Sequence, residues 1–141
     1  MRAALTGIAL LLTACVTINE KTAEPGGAPT GQTQQVRGAV TGQKQLIVSF
    51  YATATDCTSL GYPTLKLAIP PQHGQVSIEQ GTAFAAFGKD DPRNVCNGKA
   101  VPATVIYYTS EPGFIGADSV AFERIGVAGA YGYHAYTINV R

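Results

Sequence analysis

The sequence predicts an all-β domain: a sandwich of antiparallel sheets with about seven short strands, carried behind a flexible N-terminal tether. Three observations point there. Apolar residues recur at every second position in several short runs, the period of a strand with one buried face. Turn-forming residues separate those runs at Pro70-Pro71, Gly81, Gly88, Gly98, Pro112-Gly113 and Gly129. No window of comparable length carries a 3.6-residue period. The 16 glycines and 8 prolines among 141 residues agree with a chain that turns often, and the length suits one domain with terminal segments.

The domain is expected over residues 39–141. Its first strand is "QLIVSFY", with Leu46, Val48 and Phe50 on one face. "TLKLAI" follows, with Leu65, Leu67 and Ile69 inward and Lys66 outward. "QVSIE" sets Val76 and Ile78 against Gln75, Ser77 and Glu79. "ATVIYY" is almost wholly apolar, as a strand covered on both faces would be. "SVAFE" alternates Val120 and Phe122 with Ser119 and Glu123, and "YHAYTINV" ends the chain with Tyr136, Ile138 and Val140 on one face. This strand spacing is that of an immunoglobulin-like β-sandwich, with a small barrel as the structural alternative.

The N-terminus reads differently. Met1 and Arg2 give a positive start, and residues 3–12 are apolar apart from Thr6 and Gly7. That stretch has the length of a signal-peptide core and is too short to cross a bilayer of about 30 Å. The run Leu12-Thr13-Ala14-Cys15 then resembles the lipobox of bacterial lipoproteins, in which Leu, two small residues and Cys mark the cleavage site. The resemblance implies a signal peptide over residues 1–14 and lipidation of Cys15 as the mature N-terminus, attached durably because more than one acyl chain is present. Val16, where an Asp would favour inner-membrane retention in Gram-negative bacteria, implies the outer membrane. Residues 15–38 form the expected linker: "NEKTAEPGGAPTGQTQQ" is polar, rich in Gly, Pro, Thr and Gln, and has too little apolar surface to order itself.

Removing Cys15 from the count leaves Cys57 and Cys96, an even pair in a chain bound for an oxidising compartment, and a disulfide between them is expected. The competing picture, a nucleophilic Cys57 paired with His73 or His134, has no supporting flanking motif.

"YYTSEPGFIGADSVAFE", residues 107–123, is the most distinctive stretch of the domain. Pro112-Gly113 suits a type II turn, Phe114 is placed to plug one end of the core, Gly116 allows a second bend, and Asp118 can accept hydrogen bonds from nearby backbone. The segment also resembles the repeat signature of bacterial cadherin-like and immunoglobulin-like domains through Tyr108, Gly113, Phe114, Gly116 and Asp118. Ser110 stands where that signature has Pro, and Val120 and Phe122 replace its final Phe and Tyr. The upstream "PPQHGQVSI" resembles the companion hairpin of the same domains. Such domains serve adhesion, spacing and ligand binding, so the resemblance implies a fold more than a function.

The remaining motifs narrow the function further. "GVAGAYGYHAY" has a GxxGxxG spacing that leads into a strand rather than a helix, so a hairpin loop is expected there and not a phosphate cradle. Tyr131, Tyr133 and His134 are a candidate binding surface, although Tyr133 and His134 fall on opposite faces of a strand. His73 lies in a turn and is expected to be exposed. The net charge of +1, without a basic patch, argues against nucleic acid. Asp90 with Asp91, and Glu111 with Asp118, are the only carboxylate pairs worth weighing for calcium, and solvated loop carboxylates are the default. No metal or cofactor is implied. The expected protein is therefore a non-catalytic, lipid-anchored envelope component that meets the membrane through its lipid and an envelope or surface protein or glycan through its domain. The alternatives are a periplasmic enzyme or enzyme inhibitor using the loops near Cys57 and Cys96, and a calcium-dependent adhesion module.

Overall fold

The computed structural model describes residues 35–141. The stretch expected to be a signal peptide (residues 1–14), Cys15 and residues 16–34 of the expected linker lie outside the described residues. The chain forms β1 (Gln35–Ala39), β2 (Lys44–Tyr51), β3 (Thr64–Ile69) and β4 (Gly74–Phe84), then a 3₁₀ helix (Pro92–Cys96), then β5 (Ala100–Ser110), β6 (Gly116–Ile125) and β7 (Tyr131–Val140). Two sheets result, one in the order β1-β7-β6-β3 and the other β2-β5-β4. All pairings are antiparallel except β1 with β7, which is parallel. This is an immunoglobulin-like sandwich in which the first strand lies beside the last.

The core sits between the sheets. Ile47, Ile106 and Tyr108 from the three-stranded sheet meet Ala39, Val120, Phe122, Tyr136, Ile138 and Val140 from the other. Each fully buried large side chain contributes about 1.5–3 kcal/mol. β5 is the central strand of its sheet and buries both faces, as its near-continuous apolar sequence predicts.

Four details differ from the expectations. Residues 35–38, assigned to the linker, belong to β1, where parallel pairing to β7 orders a polar stretch that has no alternation of its own. In β2 the register slips at Ile47, so that Leu46 opposes Tyr107 and Val48 opposes Ile106. This bulge turns Leu46 outward, to 54% exposure, and buries Ile47 in its place. A second irregularity at Ala68 sets Ile69 opposite Ala121, away from the face of Leu65 and Leu67, and Leu67 itself lies only partly covered on this edge strand. Gly81 makes no turn: β4 pairs with β5 without interruption from Gly74 to Phe84. A Cβ at Gly81 would lie 2.9 Å from Val105 Cγ2, so the residue serves close packing.

Candidate functional site

The corner read from residues 107–123 is built around a buried carboxylate. Asp118, at the start of β6 and 5% exposed, accepts the backbone N–H of Gln72 and of His73, each at 2.9 Å, and that of Ser119 at 2.8 Å. Tyr108, fully buried on β5, donates its hydroxyl to the same carboxylate at 2.9 Å. Burial pushes the Asp118 carboxyl up, but these four donors outweigh it and hold the group below the ordinary carboxylate range. Burial, and then the hydrogen bond to Asp118, push the Tyr108 phenol up.

Asp118 thereby fastens the β3–β4 connection to the start of β6. Around it, the His73 carbonyl accepts the Glu111 N–H at 2.8 Å, and the His73 ring stacks on Phe114 with centroids 4.2 Å apart. Phe114 in turn packs against the core. Pro112-Gly113 occupies the middle of a turn closed by the Phe114 N–H on the Glu111 carbonyl, with Gly113 at φ +82°. His73 is half-buried rather than exposed, because the stacking covers it. Gly74 has no room for a side chain: a Cβ there would lie 2.6 Å from the Thr109 carbonyl oxygen and from the Tyr108 ring.

Next to this corner lies an open cleft of about 290 Å³, lined by Gly42, Gly74, Gln75, Thr109, Ser110, Glu111 and Pro112. The buried Ser110 hydroxyl in its lining accepts the Gly42 N–H at 2.9 Å. Beside Gly42, the Thr41 hydroxyl accepts the Gly113 N–H at 2.8 Å.

At the other candidate end, Cys57 and Cys96 form a disulfide with Cα atoms 5.4 Å apart. It joins the loop after β2 to the end of the 3₁₀ helix, over a second small core of Ala85, Cys96 and Val101 flanked by Tyr51 and Phe87. The surrounding polar groups are engaged locally. Asp91 caps the helix and pairs with Arg93 at 2.6 Å, and the Arg93 side chain followed by its backbone N–H lowers the Asp91 carboxyl to about 2. Arg93 also lies over the Phe87 ring, and the Asn94 and Asn97 amides both donate to the Phe87 carbonyl.

The third candidate divides as strand alternation requires. Tyr131 and Tyr133 stand opposite Ile125 and Glu123, on the outer face of the four-stranded sheet. His134 shares the inward face of β7 with Tyr136, lies 4.7 Å from the Phe50 ring, and accepts Arg124 Nε at 3.4 Å. Burial first, then the Arg124 charge, lower its pKa, so it stays neutral around pH 7. The Gly-rich segment before these residues is the β6–β7 hairpin loop, closed by the Gly126 N–H on the Ala130 carbonyl.

Neither carboxylate pair is drawn into a metal-binding group: among the described residues no three His, Cys, Asp or Glu side chains converge. Sequence reading missed Gly74 as a packing requirement and Arg37 as an edge closure. The Arg37 guanidinium donates to the Ile47 carbonyl at the β2 bulge and lies over the Tyr136 ring. The only signal for Gly74 was its place between a Pro-rich turn and an alternating run. No family model matches the chain, and neither the curated proteins nor the solved structures give a match.

Proposed function

We propose that this chain is a lipid-anchored bacterial envelope protein whose single immunoglobulin-like domain is a non-catalytic interaction module. The observation that carries the reading is the Cys57–Cys96 bond. It leaves Cys15 as the one cysteine outside the domain, at the last position of the Leu-Thr-Ala-Cys run, and it suits an oxidising compartment. The reading of the domain as cadherin-like draws support from Asp118, which ties the "PPQHGQVSI" hairpin to the Gly-Phe corner and so gives both resembling segments one job. That job is mechanical. Hydrogen-bond donors already fill the carboxylate, as Arg93 fills that of Asp91, and the rigid sandwich is left to present its surfaces. Tyr131 and Tyr133 on the outer face of β7 are suited to stacking against a glycan ring or packing against a protein partner.

Membrane fractionation of cells producing the full chain and its Cys15→Ala variant tests the proposal. The parent should sediment with the envelope and leave it only with detergent, and Cys15→Ala should be soluble. A Cys15→Ala protein that stays with the membrane overturns the anchor.

A further inference from the structure

The four edges of the two sheets are not alike. β1 is five residues long and carries Arg37. β2 is broken by the Ile47 bulge, whose carbonyl Arg37 takes. β3 carries Lys66 and an irregularity at Ala68, and runs into Pro70-Pro71. Short length, bulges, Lys and Pro are the means by which sheet edges avoid pairing with another chain. β4 has none of them. It runs eleven residues in unbroken register with β5 and contains no Pro, Lys or Arg. Its single charge, Glu79, is held at 2.6 Å by Lys44, which reaches across Tyr107 from β2.

The hydrogen-bond phase of this edge follows from its two ends. The Glu111 N–H donates to the His73 carbonyl, and the Ala85 N–H to the Lys99 carbonyl. Both pairs continue the β4–β5 register, so the odd-numbered residues of β4 bond to β5. Val76, Ile78, Gln80 and Thr82 therefore direct their N–H and C=O groups to the free side, where β4 has no neighbour among the described residues. Ile78 and Phe84 flank that side at 39% and 71% exposure.

We propose that β4 is a self-association edge, and that its occupant is β4 of a second copy of this chain, joining two three-stranded sheets into one. The strand is its own antiparallel complement. A two-fold axis at Gln80 sets Ile78 opposite Thr82 and Val76 opposite Phe84, with outward-directed backbone groups meeting in pairs. The same register sets Glu79 opposite Gly81, avoiding a Glu–Glu pair. Glu79 is already neutralised by Lys44, and a net charge of +1 leaves little long-range repulsion between copies.

The test is sedimentation equilibrium of the full chain in density-matched detergent, with amide hydrogen exchange on the same samples. The parent should dimerise, and the amides of Ile78, Gln80 and Thr82 should slow as concentration rises. Gln80→Lys places two ammonium groups opposite one another at the axis and should weaken the dimer at least tenfold, with the melting temperature unchanged at concentrations where parent and variant are both monomeric. Asn139→Lys, on the outer face of the other sheet, should leave the dimer intact. A dimer indifferent to Gln80→Lys overturns the proposal by locating the contact elsewhere. A parent that stays monomeric with fast β4 exchange shows a bare edge, and a monomer with slow exchange shows an edge covered by the chain's own N-terminal segment. Either result also overturns the proposal.

Discussion

Replacing Asp118 by Ala takes the common acceptor from four donors at once. Tyr108 keeps a weaker acceptor in the His73 carbonyl at 3.4 Å, and Ser119 was bonded to its own neighbour in sequence. The Gln72 and His73 amides lose the partner that fixes the β3–β4 connection. A buried donor left without a partner costs about 1–3 kcal/mol, so the variant should lose about 3–5 kcal/mol. For a domain of this size that is a fall in melting temperature of roughly 15 °C or more. Calorimetry of parent, Asp118→Ala and Asp118→Asn reads it directly. The pH dependence supplies a second reading. The folded carboxyl titrates below its unfolded value of about 3.9, so on acidification the unfolded chain takes up the proton first. The stabilisation from Asp118 is thus complete above about pH 5 and is lost as pH falls through the folded pKa. The gap between parent and Asp118→Asn should be widest near neutrality and close in acid. A fall of less than about 3 °C for Asp118→Ala, or a gap that widens in acid, would refute the clamp.

Other expectations follow from the same geometry. Gly74→Ala should cost about 1–3 kcal/mol in denaturant titration, because the new methyl meets backbone and a buried ring rather than a movable side-chain end. Converting Cys57 and Cys96 together to Ser should cost about 4 kcal/mol by the chain-entropy estimate for a closure of this length; equal stability of parent and variant under non-reducing conditions would show that the bond does not constrain the domain. Millimolar calcium should leave the melting temperature unchanged, since the Asp91 and Asp118 carboxylates are already engaged; a calcium-induced rise would restore the adhesion-module alternative.

Much of the sandwich was legible because local pattern and tertiary role coincide. The apolar run of β5 marks a central strand, the alternation of Val120 with Phe122 and of Tyr136 with Ile138 marks the inner face, and the cysteine count isolates one pair. The failures are each non-local. The bulges at Ile47 and Ala68 are set by pairing partners, so a strict two-residue period placed Leu46 and Ile69 on the wrong side. β1 is polar and borrows its order from β7. Asp118 was read as bonding nearby backbone, and its Ser119 contact is of that kind. Its partners at Gln72 and His73 lie 46 and 45 residues upstream, beyond the reach of turn chemistry. The outward position of Tyr131 and Tyr133 was readable from alternation alone, whereas the stacking that covers His73 was not.

Mass spectrometry of the protein extracted from cell envelopes tests the central claim most directly. Digestion without reduction should yield an N-terminal peptide that begins at Cys15 and carries the mass of its acyl chains, together with a cross-linked peptide joining Cys57 to Cys96. An unmodified peptide running through Ala14 and Cys15, or a mature terminus elsewhere with an unacylated Cys15, would contradict it.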